Sequence, residues 1–298
     1  MPRNGTRLHK RRIRVVVMAV AIVTALAGAD RASAGGVKII SACQTLSDFN
    51  TVYKLATDLG SCGDCLFVTN SKITIDLQGH SIASTCPNGG KVGAAITDDF
   101  APLDLITVKN GSIIGYDVGV LLAGSSRASV LGVKTKNHSF NGVWLGTHGL
   151  VKFTESSGNS YGIEVGAYGQ VQQSNAHDNE VVGILATGDN CLITMNTANS
   201  NGSGIMTANG VTDGDKCTVS YNTANDNRFV GIDAGVTFGL GTGHLITQNV
   251  ALHNGTVEFG EIDFAINCPS TVTNNNSTNG FPASYLLDGT DCHLVNNN

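Results

Sequence analysis

The sequence predicts an all-β solenoid, a single-stranded parallel β-helix, and three observations support this prediction. The segment GDNCLITMN (188–196) is followed 26 residues later by the similar segment GDKCTVSYN (214–222). Asparagines recur at intervals of 18 to 27 residues, and self-similarity at such a period is typical of solenoids. Short runs rich in Val and Ile alternate with Gly, Asn and Asp, and no repeat contains ten residues with helical periodicity.

Aligning the repeats places similar residues in columns, and each repeat then forms one turn of the solenoid, here called a coil. Neighbouring coils of a parallel β-helix stack ~4.8 Å apart, so the residues of one column lie directly above one another. A leucine-rich repeat, the alternative, needs leucine at most inward positions and a helical return segment, neither of which is present. The predicted columns are Asn141, Asn159, Asn179, Asn201, Asn227, Asn254 and Asn279; Lys136, Thr154, Ser174, Asn196, Asn222, Asn249 and Asn274; Val133, Val151, Val171, Ile193, Val219 and Ile246; and the pairs Gly119-Val120, Gly142-Val143, Gly162-Ile163, Gly183-Ile184, Gly204-Ile205 and Gly231-Ile232.

Residues 1–34 have the pattern of a cleaved signal peptide. A basic head is followed by the apolar run Val15–Ala29 and then by the small residues Ala32-Ser33-Ala34. The apolar run would span only ~22 Å as a helix, less than the ~30 Å of a membrane core, so we expect export rather than a membrane anchor. The expected location is extracellular or periplasmic.

The mature chain is expected to be strongly acidic. Residues 1–34 contain seven of the 18 basic residues and one of the 23 acidic residues, so the rest carries 11 basic and 22 acidic residues and a formal charge of −11. Such a surface argues against nucleic acid as a partner, because nucleic-acid binding needs a basic footprint. It also repels polyanionic glycans unless a cation or a local basic patch intervenes.

All eight cysteines lie beyond the signal peptide, which favours disulfides. Cys191 and Cys217 occupy one column in neighbouring coils, and stacked Cα atoms ~4.8 Å apart suit a disulfide. Cys268 and Cys292 are likewise one coil apart, 24 residues, and are expected to pair. The remaining four, Cys43, Cys62, Cys65 and Cys86, are expected to pair among themselves in one of three ways.

These columns, with ITIDLQGHSIAS (73–84) and VKNGSIIGYDVGV (108–120), resemble the secreted right-handed parallel β-helix proteins of the pectate-lyase-like superfamily. The resemblance covers about residues 38–298. It implies an N-terminal cap and first coil over 35–70, followed by a right-handed β-helix over 71–298. The superfamily includes lyases, hydrolases, epimerases and proteins with no known reaction, so the fold alone assigns no activity.

The catalytic motifs of the resembled enzymes are largely missing. Of the motifs shared by polygalacturonase-like hydrolases, only Gly243-His244-Leu245 approximates one, the Gly-His-Gly. Pectate lyases need an arginine base beside calcium-binding carboxylates, and beyond residue 34 the chain has only Arg127 and Arg228, outside such a setting. Whether the protein is an enzyme of the polysaccharide lyase or glycoside hydrolase type therefore stays open.

One outward-facing stripe is the best sequence-based candidate for a site. The residue after each Gly-Ile or Gly-Val pair should point outward because its neighbours point inward. Aromatic residues and carboxylates in such a stripe suit a sugar-binding groove, and Asp233 and Asp263, one coil apart, are the candidate catalytic pair. The predicted stripe consists of Leu121, Trp144, Glu164, Leu185, Met206, Asp233 and Asp263, with Trp144, Glu164 and Met206 as substrate-binding residues.

Two smaller groups are further candidates. Lys134 and Lys152 are predicted to share a column, and their ammonium groups could receive a carboxylate-bearing sugar. Asp189 and Asp215 share another column, and with nearby Asp213 they suggest a calcium site, because carboxylate oxygens are the ligands calcium prefers. No cofactor is otherwise required. The alternative for both groups is that they are solvated surface residues that bind no ligand.

Two functional hypotheses follow from the sequence. The first is a secreted β-helix that binds and, in its stronger form, cleaves an extracellular polysaccharide. The second is a non-catalytic cell-surface, adhesive or structural scaffold, which the missing motifs favour. Neither hypothesis determines the oligomeric state.

Overall fold

A computed structural model of the chain describes residues 35–207, 215–236, 241–256, 260–278 and 283–298. Residues 34–298 form one compact unit. The predicted signal peptide, Asp213 and Asn279 lie outside the described residues. Among the residues that are described, no helix is long and apolar enough to cross a membrane.

The regular secondary structure of the described residues consists of short strands, with one 3₁₀ turn at Pro87–Gly89. The strands of the first half are β1 (Val37–Ile40), β2 (Gln44–Leu46), β3 (Val52–Leu55), β4 (Leu59–Ser61), β5 (Leu66–Val68), β6 (Thr74–Asp76), β7 (Ser81–Ser84), β8 (Ala94–Thr97), β9 (Thr107–Ile114), β10 (Val118–Leu122), β11 (Ser129–Lys136), β12 (Asn141–Leu145), β13 (Leu150–Lys152), β14 (Glu155–Ser157), β15 (Tyr161–Val165) and β16 (Gln170–Gln172). Those of the second half are β17 (Asn175–His177), β18 (Val182–Ala186), β19 (Leu192–Thr194), β20 (Thr197–Asn199), β21 (Ser203–Met206), β22 (Thr218–Ser220), β23 (Val230–Ala234), β24 (Leu245–Thr247), β25 (Val250–Ala251), β26 (Gly255–Thr256), β27 (Gly260–Glu261), β28 (Phe264–Asn267), β29 (Thr271–Thr273), β30 (Asn276–Ser277), β31 (Tyr285–Asp288) and β32 (His293–Val295).

The strands pair in parallel from coil to coil, which confirms the predicted solenoid. The two large sheets of the described residues have 17 and 11 strands, and the 11-stranded sheet takes one strand from each coil; β25 with β30 and β26 with β27 form two small two-stranded sheets. Parallel pairing begins with β1 against β3 and β2 against β5, inside the segment that the resemblance assigned to the N-terminal cap and first coil. Among the strands of the described ranges, only the hairpin of β26 and β27 is antiparallel. The right-handed winding remains a prediction.

The solenoid interior is filled by stacked Val and Ile side chains. Val143, Ile163, Ile184, Ile205 and Ile232 align across the 11-stranded sheet and are fully buried, as the Gly-Val and Gly-Ile pairs predicted. In the 17-stranded sheet the residue aligned with Val151 is Val130, so the prediction of Val133 was wrong. The unit is thus stabilised by repeated burial of β-branched side chains, each worth roughly 1.5–3 kcal/mol.

A first asparagine ladder lies buried at the corner that follows β13, β16, β19 and their successors. The Oδ1 atom of Asn222 accepts hydrogen bonds from the backbone N (2.9 Å) and the Nδ2 (3.0 Å) of Asn196 in the preceding coil. The Nδ2 of Asn222 donates to the carbonyl of Ile193 as well. The first ladder consists of Asn196, Asn222, Asn249, Asn275 and Asn297.

The sequence placed two members of this column wrongly. Asn275, not Asn274, belongs to the ladder, because Asn274 is the outward corner residue with a left-handed backbone (φ 55°). Lys136 lies outside the column, because β11 runs through the corner as one continuous strand and places Val133 beside Thr154. The run Asn274-Asn275-Asn276 offers no sequence signal for choosing among its members.

A second asparagine ladder lies buried at the corner before the 11-stranded sheet. It consists of Asn159, Asn179, Asn201, Asn227 and Asn254, and each Oδ1 accepts the backbone N–H of the preceding coil. The preceding coil contributes His138 rather than the predicted Asn141. At the other end Asp263 closes the ladder, because its Oδ1 accepts from the Nδ2 of Asn254 (2.8 Å) and its Oδ2 accepts from the backbone N of Thr278 (2.7 Å).

All eight cysteines form disulfides between neighbouring coils. The bridges Cys191–Cys217 and Cys268–Cys292 confirm the prediction, and their Cα atoms lie 4.5 and 5.1 Å apart. The four N-terminal cysteines pair as Cys43–Cys65 and Cys62–Cys86, which resolves the three alternatives that the sequence left open.

The first ladder predicts a large stability difference between two asparagines. Asn222→Ala removes the acceptor of two buried donors of Asn196, which we expect to cost about 2–3 kcal/mol of the free energy of unfolding. Asn276→Ala removes an exposed side chain and should cost less than about 0.5 kcal/mol. Urea unfolding followed by circular dichroism measures both. Equal midpoints for the two variants would show that the ladder contributes little.

Candidate functional site

The outward stripe of the 11-stranded sheet exists as predicted up to Asp233. Leu121, Trp144, Glu164, Leu185, Met206 and Asp233 align in successive coils. The next residue in register is Ala265, so the prediction that Asp263 continues the stripe was wrong. The hairpin of β26 and β27 lies between Asn254 and β28 and moves Asp263 to the end of the second ladder.

The two predicted catalytic aspartates are therefore not a pair in one column. Asp263 is fully buried, and both of its carboxylate oxygens accept hydrogen bonds from ladder and backbone donors. Asp233 is 1% exposed, and its Oδ1 accepts the backbone N–H of Val236 at 2.9 Å. This arrangement stabilises two turns of the chain and leaves neither carboxylate open to solvent.

The stripe divides into an accessible end and a covered end. Leu185 and Met206 are only 4% and 7% exposed and form a small apolar cluster with Val182, against which Tyr161 packs. Met206 is thus a packed residue in the described structure. Leu121, Trp144 and Glu164 are only partly buried and form the accessible end.

Phe100 adds a second aromatic ring to the accessible end, which the sequence did not reveal. Its ring lies 5.7 Å from that of Trp144 in an edge-to-face arrangement, and the Phe100 residue is 56% exposed. Such a pair presents a rigid apolar surface with a polar indole N–H. Phe100 lies outside the repeats, in the loop between β8 and β9, so the column pattern could not indicate it.

Glu164 is the titratable group at this end. Its Oε2 accepts a hydrogen bond from the Nδ2 of Asn141 at 2.7 Å, so Asn141 supports the site rather than a ladder. Burial raises the pKa of Glu164 above its ordinary value, and the hydrogen bond from Asn141 offsets part of this effect.

The predicted lysine column is also corrected by the register. Lys134 aligns with Glu155, and Lys152 aligns with Leu131, so the two lysines are not in one column. The Nζ of Lys134 forms an ion pair with Oε2 of Glu155 at 2.9 Å. Both lysines lie on the 17-stranded sheet, away from the stripe.

The aspartates of the suggested calcium site bond to the backbone. Asp189 Oδ1 accepts the N–H of Asp215, and Asp215 Oδ1 accepts the N–H of Thr242. Across the part of the chain that is described, no three His, Cys, Asp or Glu side chains form a group that could hold a metal ion. The calcium prediction therefore depends on Asp213, which is outside that part.

Comparison with known proteins identifies the family. The family described as periplasmic copper-binding protein (NosD) matches residues 84–261, more than half of the chain. The chain belongs to the NosD family. Family membership and the four disulfides place the protein in the periplasm or outside the cell. No curated protein matches the chain.

Solved structures support the solenoid fold of this NosD-family chain. The Dettilon tailspike protein is similar over 87% of this chain, with 14% identity and a TM-score of 0.64; the match spans 60% of the tailspike chain. The A-module of mannuronan C-5 epimerase AlgE4 from Azotobacter vinelandii is similar over 85% of this chain and 86% of its own, with 11% identity and a TM-score of 0.53. At these identities the likeness shows the fold alone.

The family description raises copper, and His244 is the residue that bears on it. His244 is 1% exposed, and neither ring nitrogen makes a well-directed hydrogen bond within the described ranges. Its neighbours in the column are Cys217, which is bridged to Cys191, and Ser270, whose hydroxyl accepts the His244 backbone N–H. One imidazole without further ligands does not make a copper centre, so the described residues do not fit copper.

The raised pKa of Glu164 predicts a pH-dependent stability. A carboxyl group whose pKa is higher in the folded state than in the unfolded state stabilises the fold at pH values below its unfolded-state pKa. This contribution is lost as the pH rises through the folded-state pKa. Glu164→Gln should therefore gain stability relative to the wild type as pH rises. Glu155→Gln is the control of opposite sign, because Lys134 lowers the pKa of Glu155 and its contribution is lost as pH falls.

Urea unfolding of the wild type and both variants from about pH 4 to about pH 8 provides this test. A difference between wild type and Glu164→Gln that does not change with pH would contradict the assignment of a raised pKa to Glu164.

Proposed function

We propose that this NosD-family protein binds an extracellular polysaccharide at the accessible end of the outward stripe. The observation that carries the proposal is the Phe100–Trp144 ring pair, one coil away from the partly buried Glu164 on a rigid sheet. Apolar ring faces beside a few fixed polar groups are the usual composition of a small-molecule site. The A-module of a mannuronan C-5 epimerase has a similar fold, and this likeness supports a polysaccharide as the ligand.

Each residue of the accessible end has a distinct role in this proposal. The rings of Trp144 and Phe100 pack against the apolar face of a sugar, and Leu121 extends this surface by one coil. Glu164, held by Asn141, forms a hydrogen bond with a sugar hydroxyl. The sheet backbone fixes Leu121, Trp144 and Glu164 before the ligand arrives, so little conformational entropy is lost at these residues on binding.

The geometry favours binding without cleavage. The two catalytic carboxyl groups of a glycoside hydrolase lie about 5–5.5 Å apart in retaining enzymes and about 6.5–9.5 Å apart in inverting enzymes. The other carboxylate of the stripe, Asp233, is three coils from Glu164, or ~14 Å at ~4.8 Å per coil. Glu164 therefore lacks a carboxylate partner at a catalytic distance within the stripe.

Affinity electrophoresis of the mature protein against a panel of neutral and uronate polysaccharides tests the proposal. We expect retardation by at least one polymer without release of reducing ends or unsaturated products. Trp144→Ala should weaken this binding about tenfold, because it removes the indole ring that packs against the sugar and the contact of that ring with Phe100.

Phe140→Ala is the matched control for Trp144→Ala. Phe140 is 57% exposed but lies outside the stripe, so its removal should leave retardation unchanged. Equal effects of the two substitutions would reject the proposed surface. Absence of retardation of the wild type by every polymer would favour the alternative of a purely structural scaffold.

A further inference from the structure

The disulfide between Cys62 and Cys86 joins two neighbouring coils near the N-terminal end of the solenoid. Cys62 follows β4 and Cys86 follows β7, and these two strands pair in parallel with Ser61 aligned to Ser84. The Cα atoms of the two cysteines lie 4.5 Å apart. The disulfide thus closes the corner directly behind a strand pair that already aligns the two coils.

Solvent access distinguishes this disulfide from the other three. All eight cysteines lie among the described residues, and Cys62 alone is exposed, while Cys86 is half-buried. Each of the other disulfides contains at least one buried cysteine; Cys191 and Cys217, for example, are 2% and 0% exposed. A thiolate must reach one of the two sulfurs to open a disulfide, so exposed disulfides are the labile ones.

The backbone beside both cysteines leaves room for an incoming molecule. Gly63 has φ 106°, and a Cβ atom built on it would have no other atom within 4 Å. The same is true of Gly89, in the 3₁₀ turn that follows Cys86. The Oγ of Ser61 donates a hydrogen bond to the carbonyl of Gly63 at 2.7 Å and thereby holds the bend around Cys62 in place. The approach to Cys62 is therefore open and fixed in position.

Cys86 belongs to a small cavity that also contains a lysine. Cys86 and Lys91 both line this cavity, which has a volume of about 150 Å³. Within the described ranges, the lysines that form ion pairs with carboxylates are Lys38, Lys109 and Lys134, so Lys91 is unpaired. A neighbouring ammonium group favours the thiolate form of a cysteine. Lys91 is thus placed to stabilise a thiolate that forms at Cys86.

We propose that Cys62 is a site of reversible thiol–disulfide exchange with low-molecular-weight thiols. The thiolate of such a molecule attacks the Sγ of Cys62 and forms a mixed disulfide with it. The bond between Cys62 and Cys86 breaks, and its electron pair leaves on the Sγ of Cys86, beside Lys91. One disulfide replaces another, so the step needs no further oxidant or reductant. Attack of the Cys86 thiolate on the mixed disulfide reverses the reaction and restores the link between the coils.

A time course of the oxidised, folded protein with excess reduced glutathione tests this proposal. Quenching with N-ethylmaleimide and peptide mass spectrometry without reduction then show which cysteine carries glutathione and which carries the maleimide. We expect glutathione on Cys62 and maleimide on Cys86. The disulfide between Cys191 and Cys217 is the internal control, because it is buried in the same molecule, and it should open at least about tenfold more slowly.

The role of the lysine is tested with Lys91→Gln. Removing the ammonium group should slow the opening of the Cys62–Cys86 disulfide about threefold, because the leaving thiolate is less stabilised. Lys72→Gln is the matched control, since it changes the net charge equally at an exposed lysine whose Nζ lies over the ring of Phe49. Its rate should equal that of the wild type.

Three results would overturn the proposal. The first is glutathione predominantly on Cys86, which would show that the other sulfur is attacked. The second is equal opening rates of the exposed and the buried disulfide, which would mean that exchange requires unfolding of the whole chain. The third is equal rates of Lys91→Gln and Lys72→Gln, which would remove the lysine from the leaving-group site. The assay involves no polysaccharide, so its outcome is independent of the binding surface proposed above.

Discussion

The hydrogen bond between a buried asparagine and the coil before it is the constraint on which the structure depends. In Asn227, Oδ1 accepts both the backbone N–H and the side-chain Nδ2 of Asn201, and Nδ2 donates to the carbonyl of Ala198. Every polar atom of the buried amide is then satisfied, and a shift of one residue would leave buried donors without acceptors. Stacked Val and Ile side chains supply most of the buried apolar surface, but they pack against one another in many registers. The asparagine ladders therefore specify which residues of neighbouring coils are aligned.

The same register determines what the surface presents. Because Asn196 and Asn222 must lie inside, the residues before them, Met195 and Tyr221, are turned outward in the left-handed conformation. On the other sheet, the second ladder sets the start of each strand and aligns Trp144 with Glu164. The accessible end of the stripe is therefore a consequence of an interior ladder.

Local repetition made much of the fold predictable, and non-local structure accounts for the rest. Ile205 and Ile232 follow a Gly-Ile signature, so their stacking could be read from the sequence. Asp263 could not be placed, because a hairpin inserted before β28 breaks the spacing on which the column prediction depends. The covering of Met206 and the approach of Phe100 to Trp144 are tertiary contacts without periodicity. Sequence analysis therefore predicted Met206 as an accessible binding residue, although it is buried, and did not find Phe100 at the other end of the stripe.

Disulfide mapping of the secreted, oxidised protein tests the coil register most directly. Each bridge joins two neighbouring coils, so the four linkages sample the register near both ends and in the middle of the solenoid. Digestion without reduction, followed by mass spectrometry, should yield Cys43–Cys65, Cys62–Cys86, Cys191–Cys217 and Cys268–Cys292. A linkage that skips a coil, such as Cys191 to Cys292, or free thiols at Cys191 and Cys217, would contradict the register and the surfaces derived from it.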